Sequence, residues 1–189
     1  LPDESRLAIL DLLLCCTRSD APEIARIPLN FWFKVRCRVF EMGHEAQDRL
    51  LNFFAPAYTE LLRVLLLLSR HPVESDAQTA DNFAMMRENV ADSLDDCCIM
   101  LGAQSVFQLL CDSAVNEARN LVALPAAQQL TSWRAVEAAL FCVAAIHRRV
   151  VVDGMPNFYE TIALLPQLPP AEELRKTLFR CSGYYSKAL

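Results

Sequence analysis

The stretch DNFAMMRENVADSLDDCCIMLG, residues 81–102, decides the fold. Its apolar residues Phe83, Met86, Val90, Leu94, Cys97 and Leu101 follow one another at steps of three, four, four, three and four. That is the stripe of an amphipathic α-helix, because a helix turns once in 3.6 residues. Arg87, Glu88, Asp92, Asp95 and Asp96 fall on the opposite face. Asp81 is placed to cap the N-terminus, and Gly102 to stop the helix at its far end.

The same period extends outward in both directions. Trp133, Val136, Leu140, Val143, His147 and Val150 form a second stripe, with Thr131 or Ser132 as its cap and Asp153-Gly154 as its end. This phase buries Trp133, whose loss is then expected to cost about 3–5 kcal/mol. Phe54, Tyr58, Leu61, Leu65 and Leu68 form a third stripe, so rich in leucine that it needs cover on more than one side. The chain thus reads as eight helices, near 4–17, 29–42, 47–70, 80–101, 103–122, 131–150, 156–167 and 171–188. The connections carry the breakers: Pro22, Pro28, Gly43, Pro72, Gly102, Pro125, Gly154 with Pro156, and Pro169-Pro170. No strand pattern interrupts the series.

Alternate helices centre about fifty residues apart, and a two-helix unit at that period is the mark of HEAT and armadillo arrays. The expected fold class is therefore all-α, an α-α superhelix of HEAT/ARM-like pairs. Its repeats lie near 29–70, 80–122 and 131–167, with partial repeats at both ends. A plain helical bundle is the competing architecture. With Leu1 at the start rather than Met, the chain is expected to be a single segment of a longer array.

Composition narrows the function. The 189 residues carry a formal net charge of -5 and no basic block interleaved with aromatics, so direct nucleic-acid binding is not expected. With only 4 Gly, a phosphate-cradling loop has no material, and no nucleotide or nucleophile-elbow motif occurs. The run 61–68 is interrupted by Arg63 and is far short of the ~20 residues of a membrane span, so no membrane insertion is expected. None of the 8 Cys lies in a C-x-x-C pair, which argues for reduced thiols used as small hydrophobes and against a zinc site. His44 and His71 sit near helix ends and His147 on an apolar stripe, so a capping or packed role is expected of each. Asp92, Asp95 and Asp96 read as a solvated helix face. No cofactor is expected, and no enzyme; a Cys/His nucleophile would need a contact that sequence does not show.

Several segments resemble one family. Asn30-Phe31-Trp32-Phe33-Lys34 is similar to an N-F-W-Y-like helix start, and Phe54-Ala55-Pro56-Ala57-Tyr58 with Leu61-Leu62 to the helix that follows it. Asp81 to Arg87 with Val90-Ala91-Asp92-Ser93-Leu94 resembles the pattern D-F-x-x-F-R-x-x-V-x-D-x-L, with Met85-Met86 in place of the aromatic, and Leu101-Gly102-Ala103 follows. Ser132-Trp133, Glu137-Ala138 and Leu140-Phe141 resemble S-W-x-x-x-E-A-x-L-F. Leu164-Leu165-Pro166 and Ser182-Gly183-Tyr184-Tyr185-Ser186 close the series, with Lys187 where a Trp is usual. In this order and spacing they resemble a middle segment of the karyopherin-β nuclear transport receptors, nearest the transportin-SR/importin-thirteen branch.

The resemblance implies a HEAT solenoid that carries protein cargo between cytoplasm and nucleus under control of the GTPase Ran, most directly in import. It also implies contacts with nucleoporins, and a main Ran site in N-terminal repeats outside this chain. The outer helices would be those at 29–42, 80–101, 131–150 and 171–188, and the others would line the concave face. On those inner helices the polar residues least suited to a core are Glu60, Arg63, Asp112, Asn116, Glu117, Arg119, Asn157 and Glu160, the candidate cargo-facing set. A HEAT-like scaffold unconnected with transport is the alternative.

Overall fold

The computed structural model describes residues 3–19, 21–73, 76–150, 159–160, 163 and 167–185. Those residues are helical almost throughout and contain no strand. The helices are α1 (Asp3–Thr17), α2 (Pro22–Phe40), α3 (His44–Leu68), α4 (Ala77–Leu101), α5 (Ala103–Ala123), α6 (Ala126–Ser132), α7 (Arg134–Ala145) and α8 (Glu172–Tyr185), with a 3-10 turn at His147–Arg149. The chain divides into two compact units, residues 1–68 with 72–102 and residues 69–71 with 103–189.

In the first unit each helix packs on its successor, and also on its next-but-one neighbour: α1 meets α3, and α2 meets α4. Two rows of helices result, which is the order of a stacked α-α array and not of a bundle around one axis. The core joins the rows. Trp32, Tyr58, Leu61, Leu65 and Leu94 are fully buried. The Tyr58 hydroxyl donates to the Trp32 carbonyl at 2.6 Å, and the two rings meet edge-on at 5.3 Å. Burial pushes the Tyr58 phenol pKa far above its ordinary value of 10.0. In the second unit α7 packs on both α5 and α8. Its buried residues include Val136, Leu140 and Val143, as the stripe requires.

Several expected boundaries shift, each for a local reason. The α2 helix begins at Pro22, so Pro28 lies inside it and not in a connection. Proline removes one backbone donor, and the flanking stripe of Ala25, Leu29 and Trp32 is buried enough to hold the helix through it. The α4 cap is Asp76, not Asp81. Asp76 has extended backbone, and its carboxylate accepts from the Thr79 amide at 2.7 Å. Gly102 does stop α4, with φ 85, a conformation that suits a residue without Cβ. The helix expected at 131–150 starts five residues earlier, behind Pro125, steps at Trp133 and ends at Ala145. Thr131 and Ser132 are therefore helical and not caps. The helix expected at 156–167 lies largely outside the described residues, as does Asp153-Gly154; Tyr159, Glu160 and Ala163 are helical.

The capping geometry gives a pH-dependent prediction. The bond from Thr79 holds the Asp76 carboxyl below its ordinary 3.8. A lowered acid pKa stabilises the fold above the unfolded value, and that contribution fades as pH falls through the folded one. Asp76→Ala should lower the melting temperature at pH 7, and the gap to the parent chain should close below pH ~3.

The α3 helix corrects the membrane expectation in one respect. Its 25 residues are long and apolar enough to cross a bilayer by length and composition. Tyr58, Leu61, Leu62, Val64 and Leu65 on it are buried within the first unit.

Candidate functional site

Glu60 and Arg63 lie one turn apart on α3, and Asp112, Asn116, Glu117 and Arg119 lie along α5. Asn116 and Arg119 are exposed, and Asp112 and Glu117 are half-buried. Asn157 lies outside the described residues.

The structure does pair its members. Glu60 accepts from Arg63 at 2.8 Å and also from Arg18, which follows the end of α1. In the second unit Glu117 accepts from Arg70 at 3.2 Å, Arg119 pairs with Glu160, and Asp112 accepts from Gln108 at 2.9 Å. The long-range Arg–Glu pairs span 42, 47 and 41 residues. That interval is the two-helix period read from the apolar stripes. Arg18 and Arg70 were not singled out from sequence. The available signal was positional: each stands just past the end of an apolar helix, where a cation complements the exposed carbonyls.

Exposed pairs of this kind contribute about 0–1 kcal/mol each, so they can exchange partners at little cost. The double substitution Glu117→Gln with Arg119→Gln should leave thermal stability nearly unchanged. It should weaken any guest held there about tenfold, the ~1.4 kcal/mol of one well-placed charged contact. A binding titration of parent and variant with the same guest checks this.

The second unit also holds a buried polar cluster. Glu137 is fully buried and accepts from the Thr177 hydroxyl at 2.6 Å. Its other oxygen lies 3.4 Å from Nε2 of His71. The His71 ring packs on Trp133 at 5.4 Å. His71 thus packs just past the end of α3, between the Trp133 ring and the Glu137 carboxyl. His147 opens the 3-10 turn, its Nδ1 is 2.8 Å from the Ala144 carbonyl, and its ring stacks on Tyr184 at 3.8 Å. Trp133 is only half-buried, at the step between α6 and α7. Trp133→Ala should therefore cost about 1–2 kcal/mol, less than its stripe position suggested, as a shift in urea midpoint would show.

The thiols are all unbridged. Burial pushes Cys111 and Cys181 up to about 12, which leaves them protonated at neutral pH. An alkylating reagent at pH 7 should reach the exposed Cys15 and spare Cys111, Cys142 and Cys181 in the folded chain. Among the described residues no three His, Cys, Asp or Glu side chains converge on a metal-sized site.

Stacked helix pairs with ion pairs recurring at the repeat interval define a class, the helical-repeat proteins of the HEAT/ARM-like kind. The curated homologues of this chain within that class are transportin and importin proteins of the karyopherin-β family, the family its motifs resemble. Transportin MOS14 of Arabidopsis thaliana is 27% identical over 97% of the chain and 20% of its own length. An uncharacterised protein of Schizosaccharomyces pombe is 24% identical over 87% of the chain and 18% of its own length. Human Importin-13 is 22% identical over 87% of the chain and 17% of its own length. The chain thus spans about a fifth of the length of these relatives. No family model matches it.

Proposed function

We propose that the chain is a segment of a nuclear transport receptor, built of HEAT repeats near 29–70, 80–122 and 131–167, that holds protein cargo through its paired polar faces. The observation that carries this reading is the alignment, over 87–97% of the chain, with proteins named transportin and importin. The candidate contacts are Glu60 and Arg63 in the first unit, and Asp112, Asn116, Glu117, Arg119 and Glu160 in the second. Asn157 completes the set by sequence. A charged guest would replace Arg–Glu bonds that the receptor makes with itself, at small net cost and with gain in specificity. Affinity would accumulate from many such exchanges along the array.

Ran would act through repeats outside this chain and lower cargo affinity by shifting the array between conformations, a coupling between distant sites. Nucleoporins would be the further partners, and the protein would shuttle between cytoplasm and nucleus, chiefly in import. No catalytic step is assigned. The test is transport itself. In permeabilised cells supplied with Ran and GTP, the full-length protein should carry a fluorescent bound protein into nuclei. A HEAT-like scaffold would bind the same protein and leave it outside.

A further inference from the structure

We propose that the polar stripes of α3 and α5 each seat a guest on one exposed leucine, Leu67 in the first unit and Leu109 in the second, and that the guest is an amphipathic segment of mixed charge. This rests on the cargo reading and adds to it the chemistry of the guest.

On a helix, residues three and seven places apart share one face. Glu60, Arg63 and Leu67 therefore form one stripe on α3, and Leu109, Asp112 and Asn116 form one on α5. Leu67 is 51% exposed and Leu109 is 44% exposed. Each is the single large apolar side chain that its helix leaves exposed. Their neighbours are turned inward: Leu61 and Leu65 on α3 are buried, as are Val106 and Leu110 on α5. A lone exposed leucine is ordinary surface. These two differ in standing inside the polar stripes, where a guest would lie.

The rim around each leucine carries both signs. Beside Leu67, Glu60 accepts from Arg63 at 2.8 Å. In the second unit Asp112 stands one turn from Leu109 and accepts from Gln108 at 2.9 Å, and Arg119, two turns further on, pairs with Glu160. A purely basic or purely acidic segment would meet like charge along part of either stripe. A segment with an apolar side chain every three or four residues, and Lys and Glu between them, meets no such conflict. Its apolar side chain covers the leucine, and its charges take up the rim. The result is an apolar centre inside a polar ring that excludes water.

The probe is a fluorescein-labelled amphipathic peptide, with Leu at every third or fourth position and Lys and Glu between, titrated into the full-length protein. Leu67→Ser and Leu109→Ser should each lower affinity about fivefold, as one apolar contact is lost. Both positions are exposed, so the melting temperature should hardly move. Ile27→Ser and Leu130→Ser remove side chains that are 72% and 58% exposed elsewhere in the two units, and should leave affinity within about twofold. Equal losses in these controls would reduce the effect to general stickiness and overturn the proposal. So would absence of binding, or equal binding of a peptide with Ser in place of every Leu. Glu60→Gln with Arg63→Gln separates the two readings. A loss there, with none in the leucine variants, overturns the leucine seats and keeps the cargo reading. No loss in any variant removes both from these residues.

Discussion

Replacing Trp32 by alanine should cost about 3–5 kcal/mol, the largest loss expected of any single truncation in the first unit. The ring is 0% exposed and meets Phe31 at 5.6 Å and Tyr58 at 5.3 Å, both edge-on. Its removal opens a cavity where α2 packs on α3, and its neighbours are too constrained to refill it. Tyr58 is held by the bond to the Trp32 carbonyl, which the substitution leaves in place. Urea unfolding followed by circular dichroism gives the change. A loss under ~1 kcal/mol would show that α2 does not sit in the row described.

Glu137→Ala should cost about 2–4 kcal/mol. The carboxylate is fully buried, and its loss leaves the Thr177 hydroxyl without the acceptor that ties α7 to α8. It also removes the oxygen that lies 3.4 Å from His71 Nε2. Glu137→Gln keeps the volume and one acceptor and should cost about 1 kcal/mol. If both substitutions cost the same, the packing volume of Glu137 would matter and its bonds would not. Tyr185, whose hydroxyl reaches the Val143 carbonyl at 2.8 Å, should hold α8 in either variant.

The fold was legible because it rests on a local signal. The stripe from Phe83 to Leu101 is helical in α4, and Tyr58, Leu61 and Leu65 of the Leu-rich α3 stripe are buried, with Phe54 and Leu68 half-buried at its ends. What sequence misplaced were the ends. Asp76 and Asp81 are equally good caps by residue type, and only the backbone conformation at Asp76 decides between them. Trp133 kept its phase but lost its depth, because the helix steps at that residue.

The candidate polar residues were chosen by type, and the bonds they make were not read from the sequence. Glu60 and Arg119 stood out by residue type, but the partners Arg18 and Glu160 are some forty residues away along the chain. No local pattern reports such a distance. The buried Glu137 illustrates the reverse case. It belongs to a recognised E-A pair, yet its meeting with Thr177 and His71 depends on how three segments pack.

The most direct test of the transport reading is made with the full-length protein, immobilised with a bound protein guest and exposed in turn to Ran-GTP and Ran-GDP. The account predicts that the GTP form releases the guest and the GDP form leaves it bound. Equal retention under both nucleotides would contradict it.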